Sequence, residues 1–228
     1  MDLEASGLHR GSYPVEVGWV SHDLAEGGSL LIRPAAEWGE ELWSHEAERV
    51  HGLSRRDLLE RGLAPAAAAA ALNAAVGGGD VLVDSPECDG RWLAALFAEA
   101  GVTPSFELPR PPPDWRDTVA TQLWREAKSC FDSDALVAVA ATRAGLSPEE
   151  HEAAWAALKA ASGLVPHRAL DDAVGNALGL AAVAVLEAAL EQGEAAAAAL
   201  STALAARAAA LVRDRGRGPR DAAAPAPR

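Results

Sequence analysis

The sequence predicts an α/β protein: a mixed β-sheet flanked by α-helices, extended at its C-terminal end by alanine-rich helices. Three observations predict it. Extended, alternating runs fill the first 33 residues. A continuous apolar run, Val81-Leu82-Val83, follows a helix and implies a strand buried on both faces. Helical periodicity then takes over from Asp89. At 228 residues the chain is long enough for one substantial core with an appendage. The expected organisation is a main unit over residues 1–180, alanine-rich helices over 181–212 and a disordered tail over 213–228.

The formal charge is −13, from 33 acidic and 20 basic residues. That balance argues against a broad basic surface for nucleic acid, since such binding is driven largely by phosphate neutralisation, but it leaves room for a small site. Two divalent cations on a carboxylate cluster would reduce the charge to −9 (−13 + 4). Cys88 and Cys130 make neither a disulfide framework nor a zinc cluster, which fits a reducing compartment. No basic segment followed by an apolar one opens the chain, and the apolar stretch Ala181 to Leu190 is broken by Glu187. The expectation is a cytoplasmic protein with no membrane contact.

The first strand begins at once. If Met1 to Glu4 is extended, Asp2 and Glu4 point the same way, and two carboxylates on one face repel unless a cation lies between them. A hard divalent cation is the usual remedy; the alternative is a solvated acidic strand end. Ser6 to Ser12 reads as a loop, and Tyr13 to Val20 as a second strand with Val15, Val17 and Trp19 on one face. Glu16 lies on the opposite face, either as a third carboxylate near the site or as a solvated or ion-paired strand residue. Glu26 to Ser29 is a turn and Leu30 to Arg33 a third strand, which makes the start a meander. Ser54 caps a short helix that buries Leu58 and Leu59, and His51-Gly52 falls in the loop before it, as a surface turn or a ligand. Arg49, Arg55 and Arg56 form a basic patch suited to a phosphate.

Pro65 to Val76 is a helix with proline at its first position and three glycines beyond its end. The strand Val81 to Val83 ends at Asp84, and sites in α/β sheets gather at such strand ends. Asp89 opens a helix whose stripe is Trp92, Leu93, Leu96, Phe97 and Ala100, ended by Gly101. It serves as an N-cap or first-turn residue, a role compatible with metal binding through another oxygen. Val102 to Phe106 adds an edge strand, Pro109 to Pro113 a surface connection, and Trp115 to Ser129 and Asp134 to Ala144 two helices. Ser147-Pro148-Glu149-Glu150 is a capping box. The last long helix buries Leu170, Val174, Ala177, Leu178 and Ala181, which leaves His167 on the preceding loop and Asp171 and Asp172 in the first turns, free to aim at one point. Ala181 to Val212 reads as an appended helical hairpin broken at Gln192-Gly193, and the tail carries five Arg and two Asp, a net +3.

Taken together, Asp2-Leu-Glu4 on a first strand, the segment Val50-His-Gly-Leu53, Asp89 opening a helix and His167-Arg-Ala-Leu-Asp-Asp172 form an ordered set. Over about residues 1 to 180 this set resembles the DEDDh (DnaQ-like) 3′–5′ exonuclease family, which includes the proofreading subunit of bacterial DNA polymerase III, ribonuclease T and oligoribonuclease. The resemblance implies a ribonuclease H-like fold. It also implies Asp2, Glu4, Asp89 and Asp172 as ligands of two Mg²⁺ or Mn²⁺ ions and His167 as the general base, with Asp171 the competing third-motif ligand. The chain departs from the family pattern at Asp84-Ser-Pro-Glu-Cys88, where a His-Asn or similar polar pair usually stands. In the family several apolar residues precede the first Asp, whereas only Met1 precedes Asp2 here, so the expectation is either a natural start upstream or a shortened first strand.

The function so implied is metal-dependent hydrolysis of phosphodiester bonds at single-stranded DNA or RNA 3′ ends. The alternatives are a catalytically weak exonuclease-fold module that binds nucleic acid or a polymerase partner, and a hydrolase of another phosphate ester on the same fold.

Overall fold

A computed structural model of the chain describes residues 1–79, 81, 83, 85–107 and 147–213. Its sheet has three antiparallel strands in chain order: β1 (Asp2–Ala5), β2 (Pro14–Val20) and β3 (Gly27–Leu31). Leu3, Val17 and Leu30 are cross-strand partners, and so share one face. Glu4, Glu16 and Leu31 share the other face, with Asp2, Gly18 and Ser29 one step along it. One face is therefore apolar and the other carries three carboxylates.

Each face meets a helix. On the apolar face, Leu3, Val15, Val17 and Leu30 join a core with Trp92, Leu93, Leu96 and Phe97 of α4 (Pro86–Ala100) and with Leu72 of α3 (Pro65–Val76). The Trp92 indole N–H donates to Ser12 Oγ at 2.9 Å, which ties α4 to the β1–β2 loop. On the acidic face lies α6 (Ala169–Gln192). Its Leu170, Val174 and Leu178 share a second core with Leu24 and with α7 (Glu194–Arg213), against which Val20 packs. The helix α5 (Pro148–Ser162) docks on α6 through polar contacts to the helix backbone: Trp155 Nε1 donates to Gly175 O, and His151 Nε2 meets Gly179 O, each at 3.0 Å.

Gly18 makes the close approach of α6 sterically allowed. A Cβ at that position would lie under 3.0 Å from Ala169 C and O and Leu170 N, all backbone atoms. Only glycine lets the helix start press this near the strand.

Local sequence accounts for the ends of the helices. Ser44 caps α1 (His45–His51), ended by Gly52 in the left-handed region, and Ser54 caps α2 (Arg55–Arg61). Both halves of the capping box at Ser147 and Glu150 are present. Asp89 does not cap α4, whose N-cap is Ser85; it stands in the first turn and accepts from the Ser85 N–H at 3.0 Å.

Other expectations are corrected. β3 starts at Gly27, so the expected turn at Glu26 to Ser29 falls largely inside the strand. His51 is no surface turn residue: it is 4% exposed and ends α1. Val81 packs on the first core and Val83 is buried, but neither carries a strand, and Leu82 between them lies outside the described residues, so the strands described are all antiparallel. No strand forms over Val102 to Phe106, where Ser105 instead bonds Asn73 and Gly77 of the neighbouring segment. Position 180–181, the expected end of the main unit, falls within α6, which runs unbroken to Gln192. The expected segments Pro109 to Pro113, Trp115 to Ser129, Asp134 to Ala144 and the tail beyond Arg213 lie outside the described residues. By length and composition α6 and α7 are each apolar enough to cross a membrane; 62% of the most apolar window of α6 is buried within the protein.

Candidate metal centre

Strand alternation puts Asp2 and Glu4 on the acidic face of β1, both partly buried, while Leu3 and Ala5 turn into the core. Across that face the start of α6 delivers Asp172, one turn into the helix, with its N–H bonded to Arg168 O at 2.9 Å. His167 stands just before the helix with φ +60, a left-handed backbone uncommon outside glycine. Its exposed ring meets the two carboxylates. One ligand-type atom from each of Glu4, His167 and Asp172 lies within 4.8 Å of the others, although Glu4 is more than 160 positions from the other two in the chain.

Asp171 and Asp172 are separated by the helix. Asp171 is buried, and its Oδ2 accepts from the Val165 N–H at 2.7 Å, which fastens the Leu164 to Pro166 link. Asp172 faces the sheet. Of the residues expected from sequence, the structure thus gathers Glu4, His167 and Asp172. Asp2 and Asp89 are not in that close group. Asp89, 2% exposed on α4, is still near enough for its charge to act on Glu4.

The electrostatics follow from burial first and from crowding second. Burial, reinforced by the charges of Asp172 and Glu16 and more weakly of Asp89, pushes Glu4 up to about 8; Arg168 opposes this. Burial also holds Asp172 above the ordinary carboxylate value, against the opposing pull of His167 and of backbone hydrogen bonds from His167 and Arg168. A pocket that disfavours its own carboxylate charge favours an added cation. The two carboxylates are hard oxygen donors of the kind Mg²⁺ or Mn²⁺ takes, whereas the imidazole is a softer, borderline donor.

Three residues have surroundings that their sequence positions did not suggest. Glu16, 1% exposed, is ion-paired rather than solvated: Arg168 donates to it through Nε at 2.9 Å and Nη2 at 2.7 Å, and the Ala169 N–H adds a third bond at 3.2 Å. Arg168 was legible only as the residue between His167 and the helix; an unaccompanied Glu inside an apolar strand was the available hint that it needed such a partner. His51 is packed edge-on to Trp43, and burial lowers its imidazole below the ordinary value against the opposing charge of Glu16.

In comparisons with protein-family models, with curated proteins and with solved structures, no match to this chain was found.

Proposed function

We propose that the chain is a metal-dependent 3′–5′ exonuclease of the DEDDh type, on a ribonuclease H-like fold, acting on single-stranded DNA or RNA ends. The observation that carries this reading is the meeting of Glu4, His167 and Asp172 within 4.8 Å. An antiparallel meander with helices on both faces and the motif helix crossing the acidic face supports the fold assignment.

Glu4 and Asp172 would hold a Mg²⁺ or Mn²⁺ ion, with Asp2 and Asp89 as the further carboxylates for a second. When bound, such ions supply charge stabilisation at the phosphodiester and make water a better nucleophile. The chain itself does three things. Glu4 and Asp172 draw their positive partner to one point, α6 fixes where that point lies, and His167, exposed beside it, takes the proton of the attacking water. Water then adds to phosphorus as the bond to the 3′ oxygen of the penultimate nucleotide breaks, so each cycle releases one nucleoside 5′-monophosphate.

The test is turnover of end-labelled single-stranded DNA and RNA with Mn²⁺, with and without chelator. His167→Ala should lower kcat by roughly 10²–10⁴-fold, the usual contribution of a positioned base, with melting temperature unchanged. Mononucleotide release that persists in chelator, or a kcat for His167→Ala within a few-fold of wild type, refutes the catalytic assignment.

A second reading, a catalytically weak module of the same fold that binds nucleic acid or a polymerase, is favoured by one observation: Asp2 and Asp89 stand outside the close group. It predicts Mn²⁺ binding without mononucleotide release in the same assay.

A further inference from the structure

The Glu16–Arg168 pair has no assigned role in the reaction, yet it joins the two halves of the site. Glu16 is the cross-strand partner of Glu4 on β1, and Arg168 is the residue between His167 and the first turn of α6. The pair is bidentate, and the same carboxylate also receives the Ala169 N–H, so three bonds fix both position and rotation of the helix start. Glu16 is 1% exposed and Arg168 24%. At Gly18, two residues along β2, the helix backbone already approaches too closely for any side chain to intervene.

Buried ion pairs are poor sources of stability, because the cost of desolvating both charges offsets their attraction. What this geometry supplies is placement. The Arg168 carbonyl accepts the Asp172 N–H, so the turn that presents Asp172 is built on the anchored residue. On its other side His167 holds a left-handed φ of +60, a conformation kept only where neighbouring structure enforces it. Asp171 secures the preceding link through Val165, so the segment on both sides of His167 is pinned.

We propose that Glu16 and Arg168 are positioning residues for the metal centre: their fork sets α6 on the sheet in the one orientation that brings His167 and Asp172 to Glu4. The pair touches no substrate. Its effect is on how well the three site residues converge, and therefore on cation affinity and kcat rather than on binding of the nucleic acid strand. The inference rests on the exonuclease reading.

The test compares wild type with the double variant Glu16→Gln/Arg168→Met, which removes both charges and the fork while a Gln carbonyl can still accept from Ala169. The measurements are Mn²⁺ affinity by electron paramagnetic resonance, kcat and KM on a labelled single-stranded oligonucleotide, and melting temperature. The expected result is Mn²⁺ affinity and kcat each lower by roughly 10–100-fold, the usual effect of losing a partner that orients a ligand, with KM and melting temperature little changed. Arg168→Lys, which keeps the charge but loses the planar fork, should show the same loss in smaller measure, and it decides the question if the double variant does not fold. Mn²⁺ affinity and kcat within threefold of wild type in the variants overturn the positioning role and leave the exonuclease reading intact. A wild-type protein that neither binds Mn²⁺ nor releases mononucleotides overturns both.

Discussion

Replacing Gly18 by alanine probes the junction on which the candidate site depends. The added Cβ would come under 3.0 Å from Ala169 C and O and Leu170 N, whereas ordinary van der Waals contact spans 3.4–4 Å. These are backbone atoms at the start of a 24-residue helix and have no rotamer to change, so α6 must move off the sheet or β2 must bend. The displacement needed is on the order of 1 Å, and overpacking of this kind costs about 1–3 kcal/mol. For a chain of this size that is a fall in melting temperature of roughly 2–12 °C. Asp172 and His167 ride on the displaced end while Glu4 stays on β1, so the site widens by a comparable amount. A misplacement of about 1 Å costs about 10²-fold in rate where geometry matters. Calorimetry and oligonucleotide turnover read the two effects separately. Gly18→Ala with the melting temperature and turnover of wild type would refute the claim that the helix start is seated on β2 at this point.

The raised Glu4 value makes a pH prediction with a definite sign. Because the folded value of about 8 lies above the ordinary 4.5, the folded state holds the proton longer; the stability contributed by Glu4 is fully present below about pH 4.5 and is lost as pH rises through 8. The ceiling is roughly 5 kcal/mol, so the metal-free melting temperature should fall between pH 5 and 8.5, Glu4→Gln should flatten that slope, and Mn²⁺ should raise the melting temperature most at high pH. A metal-free melting temperature that does not fall over this range counts against the crowded-carboxylate picture. Asp172→Asn should abolish Mn²⁺ binding at nearly unchanged stability, whereas Asp171→Asn should keep Mn²⁺ binding and lose about 0.5–1.5 kcal/mol, because it weakens the part-buried bond to Val165 N. Reversed outcomes would exchange the two roles.

Local signals were the legible part of this fold. Ser54, the Ser147 capping box, Pro65 at a helix start and Gly101 at a helix end each act through one or two neighbouring backbone groups, so sequence alone locates them. The alternation of Val15, Glu16 and Val17 correctly gave two faces of opposite character. Periodicity did not show the helix α1, a seven-residue element whose only marks are Ser44 before it and Gly52 after it. It also failed at His51, because a His-Gly pair at a helix end looks like a surface turn until Trp43 and the sheet close over it. The junction at 180–181 looked like a boundary because alanine lowers side-chain bulk there, but alanine is the best helix former, and α6 continues through it.

The candidate site divides in the same way. Asp2 and Glu4 could be placed on one face from strand alternation, but alternation cannot say which of them a distant helix will approach; α6 arrives opposite Glu4. The neighbours Asp171 and Asp172 could not be ranked by spacing, because both fit the first turns of a helix. The structure separates them by what each carboxylate does: one spends an oxygen on Val165 N, and the other is held above its ordinary value in the crowded group with Glu4. What decides that separation is the rotation of α6 about its axis, and the contacts that set the rotation are Glu16, Gly18 and Arg168. None of the three is among the ligands that the family resemblance implies. A site assembled from two segments more than 160 residues apart is therefore specified as much by the anchor between the segments as by the residues that would do the chemistry.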